Sequence, residues 1–157
     1  MKKLLFYFLF CIICAQDAFA QSQPTAGELK FRNGIEQFLK EEGYVPTIDS
    51  NNNRRVNFKK EGIKYWITVK DSEPCYVTMQ RSGFTMDEGK RDSYIEACNY
   101  ANLNKRCGKA SIDTEDVFFT VEFYCYSIEN FRSTFYRNMN SLEYIKEATM
   151  SYYNEHN

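Results

Sequence analysis

The chain has one histidine in 157 residues, His156, second from the end. Chain ends usually fray, so that position removes most triad, dyad and metal schemes before any motif is sought. Beyond residue 20 it has no C-x-x-C pair, no glycine-rich phosphate loop and no Cys/His spacing suited to a metal. Neither sign of charge is in excess: 20 basic against 21 acidic residues leave −1. A nucleic-acid or anionic-membrane role, which favours a basic domain, is therefore not expected. Carboxylate pairs do occur, at Glu41-Glu42, Asp87-Glu88 and Glu115-Asp116. They fall at expected helix ends and in a turn, the ordinary places for solvated charge. Asp71 and Glu73 alone fall short of a calcium loop. The expectation is no catalytic set, no cofactor and no metal. Arg54, Arg55, Lys59 and Lys60 read as a solvated hairpin edge that discourages aggregation.

What is present begins with an address. Lys2 and Lys3 precede the apolar run LLFYFLFCIIC, and Ala18-Phe19-Ala20 is a small-x-small cleavage site. The run is short for a membrane span and has no stop-transfer pattern after it. Ile13 before Cys14 and Phe10 before Cys11 do not suit lipoprotein acylation. Residues 1–20 therefore read as a signal peptide removed after Ala20, and the protein as exported, periplasmic or secreted, with no stable membrane anchor. Residues 21–27, QSQPTAG, read as a flexible leader, and 28–157 as one domain large enough for its own core. Four cysteines remain, Cys75, Cys98, Cys107 and Cys125. An even number in an exported chain suggests two disulfides; the alternative is four reduced thiols packed as small apolar groups.

Periodicity supplies the elements. Phe31, Ile35, Phe38 and Leu39 mark a first helix in GELKFRNGIEQFLKEEGY, with Gly43 at its stop. VPTIDSNNNRR reads as a short extended stretch and a turn. RRVNFKKEGIKYWITVK is a hairpin about Glu61-Gly62, which sets Phe58 against Tyr65 and Val56 against Ile67, with Trp66 and Thr68 on the opposite face. A third strand after an Asp71–Cys75 connection puts Val77 and Met79 beside Val69 and Ile67, leaving Tyr76 and Thr78 on the Trp66 side. MDEGKRDSYIEACNYANLNK is a second helix with Tyr94, Ala97, Cys98 and Ala101 inward. A second hairpin turns at Asp113–Asp116 into VFFTVEFYCYS. There Val117, Phe119, Val121, Phe123 and Cys125 share one face, and Phe118, Thr120, Glu122, Tyr124 and Tyr126 the other. A long last helix follows Ser127 with Phe131, Phe135, Leu142, Ile145 and Thr149 inward. The reading is a two-layer α+β domain, α-β(3)-α-β(2)-α, with a five-stranded antiparallel sheet and its helices packed on one face.

FLKEEGY, FKKEGIKYWITVKDSEPCYV, ACNYANLNK with KASIDTEDVFFTVEFYC, and ENFRSTFYRNM, in that order over residues 28–153, resemble the YbjN-like family, whose fold is that of the type III secretion chaperones. The resemblance implies that the third and fifth strands are neighbours, that dimers are frequent, and that the role is to hold or contact other proteins. It carries no catalytic residues. Adjacent third and fifth strands in turn imply a Cys75–Cys125 disulfide, and Cys98 and Cys107, nine residues apart across the helix-to-hairpin turn, are expected to form the second, among the three connectivities that four cysteines allow.

With the helices on the odd face of the last strand, the opposite face carries Trp66, Tyr76, Phe118, Tyr124 and Tyr126, with threonines 68, 78 and 120 between them. Aromatic area with hydroxyl tips is an interface composition, although tyrosine and threonine also favour strands for their own sake. The expected function is an exported, non-enzymatic protein-binding or chaperone-like domain using this face, its partner unknown and a homodimer among the options. The alternative is a binder of a small amphipathic ligand between helices and sheet, in a cavity lined by Tyr94, Phe131 and Phe135. A thiol enzyme is the third reading, and it requires an accessible cysteine of low pKa.

Overall fold

The computed structural model describes residues 23–71 and 73–157. The expected signal peptide and its cleavage site lie outside them, as do Gln21 and Ser22 of the expected leader. The rest of that leader needs correcting. Thr25 caps helix α1 (Ala26–Glu41) through a capping box, its Oγ1 accepting from the Glu28 N–H at 3.1 Å. The Glu28 carboxylate in turn accepts from the Thr25 N–H at 2.6 Å. Two otherwise unpaired donors are satisfied together, so the helix claims Ala26 and Gly27.

Strands β1 (Thr47–Ile48), β2 (Arg55–Lys60), β3 (Ile63–Lys70) and β4 (Cys75–Thr85) follow. Helix α2 (Arg91–Asn104) then leads to β5 (Lys109–Asp113), β6 (Asp116–Cys125) and helix α3 (Ile128–His156). The antiparallel sheet runs β1-β2-β3-β4-β6-β5, six strands rather than the expected five. The additional strand is the stretch after Pro46, where Thr47 and Ile48 pair with Asn57 and Val56. Two residues are too few to show an alternating pattern.

The expected registers hold. Phe58 faces Tyr65, Val56 faces Ile67, Ile67 faces Met79 and Val69 faces Val77. The first register follows from the turn, where Glu61 and Gly62 both have positive φ (53° and 81°), as a type I′ hairpin requires. The third and fifth strands of the sequence reading, now β4 and β6, are neighbours paired from Cys75↔Cys125 to Thr85↔Asp116. A bulge between Ser82 and Phe84 interrupts that ladder. Gly83 is required there, because a Cβ would stand 2.3 Å from the Val117 carbonyl oxygen. The bulge turns Phe84 back to the core, against Tyr94 (5.4 Å) and Phe119 (6.3 Å).

The three helices among the described residues lie on one face. Helix α3 crosses the sheet with Phe131, Phe135, Met139, Leu142, Ile145 and Thr149 buried beneath it. Phe38, Phe131 and Phe135 form a ring cluster with centroids 5.1–5.8 Å apart, extended by Phe58 at 6.2 Å from Phe135. Each such side chain contributes about 1.5–3 kcal/mol on burial. Tyr94 stacks on Tyr153 at 4.0 Å. Tyr94, Phe131 and Phe135 therefore fill the space between the layers instead of lining a ligand cavity there, because large rings from both layers interdigitate.

Two ion pairs enter this interior. Glu28, 4% exposed, pairs with Arg54 at 2.9 Å and accepts from the Asp71 N–H at 3.1 Å. Burial pulls its carboxyl up, but Arg54 and the Thr25 and Asp71 N–H groups outweigh that and hold it below its ordinary value. Arg81, on the covered face of β4 and 3% exposed, meets Glu143 of α3 through Nη1 as an ion pair without hydrogen-bond alignment. Its guanidinium lies 5.9 Å from the ring centroids of both Tyr65 and Phe119. The Tyr65 hydroxyl donates to Glu143 at 3.1 Å, and burial pushes its pKa up to about 12.

Candidate interaction face

The alternation that fills the core sends the other half of each strand to a face that none of the described helices covers. Cross-strand register arranges it in rows. Lys59 and Lys64 form one, and Asn57, Trp66, Gln80 and Thr120 a second. Arg55, Thr68, Thr78 and Glu122 form a third, and Lys70, Tyr76 and Tyr124 a fourth. Polar contacts knit the middle together. Trp66 Nε1 donates to Gln80 at 2.5 Å, and the Gln80 amide donates to Thr120 at 3.1 Å. Thr68 and Thr120 are buried beneath their larger neighbours even though no helix lies on them.

Trp66, Tyr76, Phe118 and Tyr124 all stand on this face, whereas Tyr126 lies past the end of β6 and is exposed. They fall into two groups. Tyr76 and Tyr124 meet at one corner, 5.3 Å apart. Trp66 and Phe118 line a separate hollow of about 680 Å³ with Arg55, Gln80 and Gly83. The threonine row at 68 and 78 separates the groups. A second hollow of about 690 Å³ runs from Trp66 to Val45, and a polar one of about 520 Å³ holds Arg54, Arg55 and Lys70 with Glu28 and Asp71. The concavities thus meet around Arg55, Trp66 and Gln80.

The face is also cationic on its β2–β3 side, which the reading of these residues as a hairpin edge does not capture. Arg55, Lys59, Lys64 and Lys70 stand on it, whereas Lys60 shares the covered side of Val56 and Phe58 and Arg54 pairs with Glu28. The signal was available in strand parity, which puts Lys64 beside Trp66. Arg55 is partly balanced by Asp49 at 3.6 Å, and Lys109 by Glu122 at 2.5 Å. Lys109 holds the Glu122 carboxyl below its ordinary value despite opposing burial, and Glu122 raises Lys109 in return.

Cys75 and Cys125 are register partners, both buried on the helix side of the sheet. Cys98 is buried on α2 and Cys107 is exposed. Burial pushes the Cys98 thiol up to about 11, and burial with Cys75 alongside does the same for Cys125. Burial and neighbouring carboxylates also raise Cys75. None of these three is poised as a thiolate nucleophile. Among the described residues no three His, Cys, Asp or Glu side chains gather as a metal site, and no helix is long and apolar enough to cross a membrane.

The fold and this face together define a two-layer α+β domain that offers one sheet surface for contact. Residues 32–128, from α1 to the start of α3, match the YbjN family, described as "Putative bacterial sensory transduction regulator". The chain belongs to that family. The description names a regulator and no enzymatic activity. No curated protein and no solved structure matches the chain.

Proposed function

We propose that this protein is an exported, non-enzymatic regulatory domain that binds a protein partner through its uncovered sheet face. The observation that carries the reading is the set of hollows converging on Arg55, Trp66 and Gln80, on a face whose aromatic and cationic side chains no helix covers. Tryptophan, tyrosine and arginine are the side chains that most often anchor protein interfaces. The family description supports a regulatory role. The amino-terminal sequence supports export, and the partner is either a second copy of the chain or a different protein.

A Cys75–Cys125 bridge belongs to the same reading. The two residues are direct cross-strand partners, a spacing within the reach of a disulfide. Cys98, buried on α2, and Cys107, exposed just past its end, are the second expected pair. Alkylation of the purified mature protein without reductant should leave Cys75 and Cys125 unmodified and linked in peptide mass analysis. Recovery of both as alkylated peptides after denaturation ends the bridge.

The face itself is tested by a photo-crosslinking residue at Tyr124, compared with one at Tyr144 on the helix side, beside the solution mass by light scattering. A discrete adduct from position 124 alone supports the reading, and a doubled mass makes the partner a second copy. Equal adducts from both positions, or from neither, overturn it.

A further inference from the structure

The hollow between Val45 and Trp66 has a character of its own. After α1 the chain rejoins the sheet only at Thr47, so β1 pairs with Asn57 and Val56 and leaves the outer edge of Phe58–Lys60 without a ladder. Buried Pro46 anchors the connecting segment, while the Val45 beside it is 84% exposed. Tyr44, Val45 and Trp66 supply apolar walls around about 690 Å³, and Asn57 supplies one amide. That volume suits a small molecule. An extended peptide fits less well, because β1 already pairs with Val56 and Asn57 and leaves only Phe58–Lys60 of the β2 edge open.

The rim is unusual. Lys59 and Lys64 stand directly opposite each other across β2 and β3 and both line the hollow. Like charges directly opposed on one face of a sheet are destabilising. Among the described residues neither lysine has an ion-pair partner, and no carboxylate lines the hollow, in contrast to Lys109 with Glu122 and to the Arg54–Arg55–Lys70 hollow with Glu28 and Asp71. An anion held between the two ammonium groups would turn this repulsion into attraction. We propose that the hollow is a binding site for a small amphipathic anion, its apolar body between Val45 and Trp66 and its single carboxylate or sulfonate between Lys59 and Lys64. The proposal goes beyond partner binding and does not depend on it.

The chain provides its own reporter, since Trp66 is its only tryptophan. The experiment titrates the full mature chain with decanoate, and in parallel with decyltrimethylammonium, which has the same tail and the opposite charge. Both stay below micelle formation, and binding is followed by Trp66 emission and by calorimetry. Decanoate is expected to shift the emission and to bind at least tenfold more tightly than the cation. The preference should fall at least tenfold in the Lys59→Gln/Lys64→Gln double variant. Val45→Asp, at an exposed position that folding can spare, should abolish decanoate binding. Equal affinity for the two amphiphiles, indifference to the lysine and Val45 changes, or no emission change and no heat would each overturn the proposal. The crosslinking result at Tyr124 is independent of all of them.

Discussion

Phe118 and Phe119 are consecutive residues of one strand with opposite surroundings. Phe119 is fully buried against Phe84, with the Arg81 guanidinium near its ring. Phe118 looks the other way, into a hollow open to solvent. The covered face is packed like an interior and admits Arg81 because Glu143 and two aromatic rings receive it, as Glu28 receives Arg54. The uncovered face is a mosaic of rings, threonines and lysines, joined by side-chain contacts such as Trp66–Gln80–Thr120 and open to solvent around them. Fold stability therefore rests on one face, and the residues of the other are free to serve recognition.

The sharpest way to break this contrast is to mutate both sides. Phe135→Ala removes a fully buried ring at the centre of the cluster and should cost about 3–5 kcal/mol in urea unfolding, because the neighbours can only partly collapse into the space. Glu28→Gln should cost less, about 1–3 kcal/mol near neutral pH, by leaving Arg54 and two N–H groups with a weaker acceptor. Its pH dependence has a definite sign. The Glu28 pKa is lowered from 4.5 in the folded chain. The charged form therefore stabilises above the unfolded value, and that contribution is lost as pH falls through the folded one. The gap between wild type and variant should be full at pH 7 and narrow steadily below about pH 4.5 in urea titrations. Tyr124→Glu, on the uncovered face, should change stability by no more than about 0.5 kcal/mol. A loss on the scale of Phe135→Ala would mean that the two faces do not divide the work.

Much of this arrangement could be read from residue order alone, and the failures have physical causes. The Glu61-Gly62 turn and period-2 alternation are local signals, so the β2–β3 register and the inward stripes of all three helices were legible. The capping box at Thr25 was legible in principle, since T-x-x-E stands in the sequence, but the proline and glycine around it suggested a loose leader. The Thr47–Ile48 strand was hidden by its length. Arg81 was hidden by its chemistry, because nothing local says that a cation at a core position will meet Glu143 on a distant helix. For the interaction face, parity put Trp66, Tyr76, Phe118 and Tyr124 on one side correctly. How they group, and that Lys59 opposes Lys64 beside Trp66, depends on pairing across several strands and appears only once the sheet is assembled.

The position of β6 between β4 and β5 also sets a timetable. A growing chain that has reached Glu115 already holds β4, eleven residues long, with the edge that will receive β6 still bare. Strand β5 is present as well but has no strand to join, because its only neighbour is the one not yet made. Ten residues, Asp116–Cys125, then close both gaps at once, and α3 arrives immediately afterwards to cover the apolar side. Assembly is therefore late and concerted, governed by contacts distant in sequence rather than by growth from the amino terminus. A chain cut short before Cys125 would carry an open strand edge that can pair with any neighbour, so premature termination is expected to favour aggregation over a smaller stable fold.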